Sequence, residues 1–186
     1  MAALDHLIDG LRGDLAQLAT GLTSGRRSVA QWERATLQTL ADHQTAAYLA
    51  GAAERLGTRE GSALLKRGNL SRAERADIGR ATRAQAAYLH SFADAIEAGE
   101  LSGAQIRSRA ATYAGSVKAT YWEARTGARL PFYPGDGCQC GNNCHCMWQQ
   151  RDGQWWWVLG GAVEHCDDCR RRADGSPYEA SGGELQ

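Results

Sequence analysis

A mainly α-helical protein with a small C-terminal β-hairpin module is the fold class this sequence predicts, and three observations predict it. Apolar residues recur at steps of three and four through roughly the first 126 residues, which is the period of a helix with one buried face. Those stretches are bracketed by Ser-x-x-Gln or Ser-x-x-Glu patterns and by glycines, the start and stop signals of helices. All six cysteines lie between Cys138 and Cys169, around a tryptophan-rich segment with a central Asp-Gly pair. The expected division is a helical region over 1–127, forming a bundle or extended helices, and a linker or ordered crossing loop over 128–137. A hairpin module over 138–178 and a flexible tail over 179–186 follow.

The first helix carries Leu4, Leu7, Ile8, Leu11, Leu15, Leu18 and Leu22 on one stripe. Gly10 and Gly13 each weaken it by about 1 kcal/mol, so it needs a packing partner, and Gly21 and Gly25 end it. Ser28-x-x-Gln31 opens the second helix. Its buried face is Trp32, Leu37, Leu40, Tyr48, Leu49, Ala52 and Leu56, and Gly57 closes it. Thr58 to Asn69 is polar and punctuated by glycine, which predicts a loop around a short turn at Ala63–Leu65. Ser71-x-x-Glu74 starts the next helix, with Ile78, Ala81, Tyr88, Leu89, Phe92 and Ile96 inward. Gln85 interrupts that face, and Gly99 closes the helix. Ser102-x-x-Gln105 starts the last, stapled by Leu101 and Ile106, with Ala110, Tyr113, Ala114, Val117 and Tyr121 continuing the stripe. Leu130 to Gly137 holds two of the three prolines and cannot extend a helix. From Cys146 to Leu159 the aromatic flanks of Asp152-Gly153 predict a hairpin.

The cysteines read Cys138-x-Cys140-x3-Cys144-x-Cys146, then nineteen residues, then Cys166-x2-Cys169. No secretory signal precedes them, so a reducing compartment is expected, where clustered cysteines bind metal rather than form disulfides. Strand alternation lets Cys144 and Cys146 point the same way, and a C-x2-C turn converges two sulfurs. Cys144, Cys146, Cys166 and Cys169 therefore form the expected ligand set for one structural zinc, closed to substrate. Cys140 or Cys138 are possible substitutes, and His145 and His165 are weaker candidates. With eight candidate ligands two ions are formally allowed. One is expected, because adjacent residues seldom ligate comfortably from one backbone. An open catalytic zinc would show the H-x-E and P-C-x-x-C pattern of deaminases, which is missing, so no catalytic residue is assigned.

Formal net charge is zero, and no apolar run approaches the length that spans a bilayer. Between Arg59 and Arg129 there are 12 basic and 7 acidic residues, and Arg170-Arg171-Arg172 follows the last cysteine. Both are mild signs of nucleic acid, although interspersed charges usually mark a solvated helix surface. Trp148 and Trp155-Trp156-Trp157 suit either base stacking or the core of a module with little apolar volume. Three successive tryptophans on a strand cannot share one side, so at least one is expected to be exposed or to cover another surface, as in a protein interface.

Four segments in order carry a resemblance: Gly99 to Tyr113 (GELSGAQIRSRAATY), Leu130 to Gly137 (LPFYPGDG), Cys140 to Trp148 (CGNNCHCMW), and the tryptophan strand followed by Glu164 to Cys169 (EHCDDC). Together they resemble the C-terminal region of the minor head, or head morphogenesis (Mu F-like), proteins of tailed bacteriophages and prophages. The chain is shorter than many of these, and Cys138 is additional to the pattern. The resemblance implies a structural protein of the phage head that contacts portal or major capsid protein and has no enzyme activity. It implies residence in the virion, with assembly in the host bacterial cytoplasm, no membrane partner, and an oligomeric state set by the virion. The other class the residues allow is a zinc-ribbon nucleic-acid-binding protein that contacts packaged DNA through phosphates or acts as a regulator.

Overall fold

The computed structural model describes residues 2–161 and 164–180. The protein is mainly helical with one small two-stranded antiparallel hairpin near its C-terminus. The helices are α1 (Ala2–Thr23), α2 (Val29–Leu56), α3 (Thr58–Arg67), α4 (Arg72–Glu97), α5 (Gly103–Thr112), α6 (Val117–Thr126) and α7 (Asp167–Asp174); the strands are β1 (Met147–Arg151) and β2 (Gln154–Val158). Two compact units divide the chain. One takes residues up to Ala46 together with Leu70–Val117, and the other takes Ala47–Asn69 with the chain from Lys118 onward. The second unit thus adds helical segments to the hairpin module that sequence placed alone at 138–178. The flexible tail expected at 179–186 lies, from Ser181, outside the described residues.

The first unit is built on the stripes. Leu4, Ile8, Leu11, Leu15 and Ala19 of α1 are buried, and α1 packs on α5 and on the 3₁₀ turn Tyr113–Ser116. Trp32 of α2 meets the edge of Phe92 of α4 at 5.3 Å, and Phe92 stacks on Tyr113 at 6.3 Å. The three Ser-led boxes all form. Ser28 N–H donates to Gln31 Oε1 at 3.0 Å, and both Ser71 with Glu74 and Ser102 with Gln105 cap reciprocally. Gln44, a polar residue on the buried face of α2, is fully buried, and its amide donates to Ser116 O at 3.1 Å. That bond sits where the final long helix breaks: α5 tightens into the 3₁₀ turn before α6 resumes. Sequence predicted one continuous helix there, because the apolar stripe runs unbroken through the turn. Tyr88, expected inward, is 67% exposed, since Leu89, Phe92 and Ala93 already fill the inner face of α4.

In the second unit the expected loop at Thr58–Asn69 is instead the helix α3. Its glycines do other work than breaking. Gly57 (φ +79°) separates α3 from α2, and Gly68 (φ +61°) ends it in the left-handed conformation with its N–H on Leu64 O. Gly61 lies inside, where a Cβ would stand 2.3 Å from Ala53 O, so it allows the helix to back onto the end of α2. Gly51 does the same between α2 and α6: a Cβ there would stand 2.2 Å from Tyr121 O. Gly51→Val is therefore expected to overpack this crossing and destabilise the second unit by about 1–3 kcal/mol. A lowered thermal midpoint for that unit in calorimetry checks it; an unchanged midpoint means the crossing yields freely.

The segment over 128–137 is an ordered crossing loop. Tyr133 O–H donates to Ala128 O at 2.7 Å, Leu130 and Pro134 are buried, and Phe132 stacks on Trp148 at 5.5 Å. The hairpin turns at Asp152 (φ +51°) and Gly153 (φ +80°), both left-handed, as a type I′ turn requires. Its register pairs Trp148 with Trp157 and Gln150 with Trp155. Trp148 and Trp157 are buried, whereas Trp155 and Trp156 are half-buried. Tyr178 adds a short third rung: its N–H donates to Trp155 O at 2.7 Å, and its O accepts from Trp155 N at 3.1 Å.

Candidate metal centre

Three short segments of the second unit bring the six sulfurs together. Cys138 and Cys140 sit in a turn closed by Gly141 N–H on Cys138 O at 2.9 Å. The 3₁₀ turn Gly141–Asn143 follows, and Lys118 of α6 fixes it, with Nζ donating to Asn142 O at 2.9 Å and to Cys144 O at 2.6 Å. From Cys144 the backbone is extended into β1, so Cys144 and Cys146 are both buried while His145 between them is exposed. Cys166 is the N-cap of α7, and Cys169 lies in its first turn. Other side chains bind α7 to the first cysteine turn. Gln139 N–H donates to Asp168 Oδ2 at 2.9 Å, and Arg172 donates to Asp136 O at 3.1 Å and to Gly137 O at 2.8 Å.

The sulfurs fall into two overlapping groups. Cys138, Cys140, Cys166 and Cys169 lie within 4.8 Å of one another, and so do Cys144, Cys146 and Cys169. Cys138–Cys140 is 3.3 Å, Cys140–Cys169 and Cys140–Cys166 are each 3.5 Å, and Cys144–Cys169 is 3.8 Å. A tetrahedral ion with metal–sulfur bonds of about 2.3 Å holds its sulfurs roughly 3.8 Å apart. No pair is bonded as a disulfide; all six are free thiols. The cluster can hold a metal.

Sequence grouped Cys144 and Cys146 with both Cys166 and Cys169. The structure brings Cys166 instead to Cys138 and Cys140, the two treated as surplus, and leaves Cys169 common to both groups. What sequence missed is the tie between α7 and the first turn; Asp168 and Arg172, which make it, read there only as charges. His165 is also placed. Its Nε2 donates to Gly160 O at 2.7 Å, and its Nδ1 faces Cys146 Sγ at 3.7 Å. Gly160 is itself confined, since a Cβ there would stand 2.2 Å from His145 O.

Protonation in the cluster follows from burial and mutual contact. The hydrogen bond with Cys144, and then burial, push the Cys138 thiol up. Burial first of all raises Cys140 and Cys169. Burial acts on Cys166 in the same sense, but the backbone N–H groups of Cys169 and Cys140 outweigh it and lower this thiol to about 7. Three thiols held up by burial and mutual contact beside one that is lowered form a donor set in which a bound cation exchanges protons for metal–sulfur bonds.

No helix among the described residues is long and apolar enough to cross a membrane. No protein-family model matches the chain, no curated protein matches it, and no solved structure matches it.

Proposed function

We propose that this chain is a structural protein of a phage head, of the minor head type, whose C-terminal module is locked by zinc. The observation that carries the reading is the convergence of two motifs. The Cys140–Trp148 and Glu164–Cys169 segments, which carry the head-protein resemblance, meet in one sulfur cluster. Zinc is the metal that suits them, because thiolate with some imidazole in a tetrahedral arrangement is its usual structural environment. A sphere filled by thiolates leaves no position for substrate, which supports a structural role over a catalytic one.

The surface of the module weighs against the nucleic-acid alternative. Arg170 faces Glu164 and Asp167, and Arg171 pairs with Asp168. Arg172 lies over the Phe132 ring at 4.1 Å. The basic run thus has partners within the module, and Trp148 and Trp157 lie in its core, with Trp155 and Trp156 half-buried.

A tagged chain used as bait in a lysate of induced lysogen tests the reading. Portal or major capsid protein is expected among the captured partners, with any DNA contact weakening steeply with salt and ignoring sequence. Recovery of a defined operator fragment at physiological salt, without virion protein, makes this a DNA-binding regulator instead.

A further inference from the structure

We infer that the sulfur cluster is a binuclear metal centre in which Cys169 is a bridging thiolate. One ion is held by Cys138, Cys140, Cys166 and Cys169. The second is held by Cys144, Cys146 and Cys169, with His165 Nδ1 as its fourth ligand. The inference rests on the zinc proposed above and concerns how many ions the module takes.

Geometry is the first argument. The six sulfurs form a group of four and a group of three that share Cys169 alone. A single tetrahedral ion satisfies four of them and leaves two cysteines without a ligand role. Those left by an ion in the group of four are Cys144 and Cys146, which are 1% and 4% exposed. Cys169 is fully buried between the groups, 3.5 Å from Cys140 on one side and 3.8 Å from Cys144 on the other. A thiolate has the lone pairs to bind both ions.

His165 supplies the second argument. The group of three lacks one ligand, and the imidazole beside it is prepared in the manner of a metal-bound histidine. Its remote nitrogen is fixed on a backbone carbonyl, and its near nitrogen is directed at a ligand sulfur. Nδ1 stands 3.7 Å from Cys146 Sγ, close to the roughly 3.5 Å that a shared tetrahedral ion sets between nitrogen and sulfur. It lies outside the mutual 4.8 Å of the three sulfurs, so metal binding draws it inward. The sequence objection that neighbours seldom ligate together also disappears, because His165 and Cys166 serve different ions.

Charge is compatible with the second ion. Four thiolates round one divalent ion carry a net charge of −2, and six thiolates with two divalent ions and a neutral imidazole carry the same. Each ligating thiol gives its proton to solvent, and the ions replace those protons. Lys118, anchored on the carbonyls of Asn142 and Cys144, places one more positive charge beside the second group.

The test is native mass spectrometry with elemental analysis of the full chain, purified from cells grown with added zinc. Two zinc ions per wild-type chain are expected, one in His165→Ala and two again in His165→Cys. One ion in the wild type overturns the binuclear centre and leaves the single structural zinc standing. No zinc at all overturns both. Two ions retained by His165→Ala overturn the assignment of His165. The wild-type count decides the main point even where a variant does not fold, and Cys144→Ser, removing another ligand of the same ion, is expected to carry one.

Discussion

Cys169→Ser is expected to abolish metal retention and unfold the hairpin module, while α1, α4 and α5 keep their helical signal. Cys169 belongs to both sulfur groups and is fully buried, so no other single ligand touches as much of the cluster. Metal binding and folding of such a knot are one equilibrium, and a thiol-rich zinc site contributes on the order of 10 kcal/mol to it. The module is small, and its apolar core alone supplies a few kcal/mol at most. Removing the shared ligand therefore exceeds what the tryptophan core can offset. The first unit has its own core in α1, Trp32, Phe92 and Tyr113. Cys138→Ser is the comparison: it removes one half-buried ligand of one group, and partial metal retention is expected. Metal content after dialysis against a weak chelator, followed with near-ultraviolet circular dichroism of the tryptophans, reads both effects. A Cys169→Ser chain that keeps wild-type metal and an ordered tryptophan signal would refute the central place given to this residue.

How far the fold was legible follows from which signals are local. Capping boxes at Ser28, Ser71 and Ser102 are local chemistry, and each opens a helix within a residue of its expected start. The Asp152-Gly153 turn is local too, and it fixes the hairpin register. Glycines misled where their role is tertiary. Gly61 reads in sequence as a breaker, but in the structure it is a close-approach residue inside α3. The 3₁₀ turn at Tyr113–Ser116 leaves no trace in the apolar stripe, since its partner Gln44 lies 72 residues away. The candidate site was legible by residue type and illegible by grouping. Spacing shows which sulfurs share a turn, but not which turns meet. That depends on Asp168 and Arg172 reaching back to residues 136–139, a contact of 29 to 36 residues' separation.

Trp148→Ala is expected to destabilise the module by about 3–5 kcal/mol, enough to unfold it at room temperature when metal is limiting. Trp148 is 3% exposed, and three rings enclose it: Phe132 stacked at 5.5 Å, Trp157 edge-on at 5.2 Å and Tyr178 edge-on at 5.4 Å. Its indole N–H donates to Phe132 O at 3.0 Å, so the same side chain also pins the crossing loop to β1. Alanine removes the packing of all three rings and leaves that carbonyl to find another donor. Trp148→Phe separates the two contributions. It keeps an aromatic surface between Phe132 and Trp157 and loses only the hydrogen bond and part of the volume, for an expected cost of about 1–2 kcal/mol. The order of effects follows from the position of Trp148 two residues after Cys146: strand β1 must be held by its core before it can present Cys144 and Cys146 to a metal. Zinc affinity measured by chelator competition should therefore fall in the order wild type, Trp148→Phe, Trp148→Ala, although neither variant touches a ligand. Equal affinity in all three would mean that the metal knot folds independently of the aromatic core, and that the tryptophans serve a surface rather than the site.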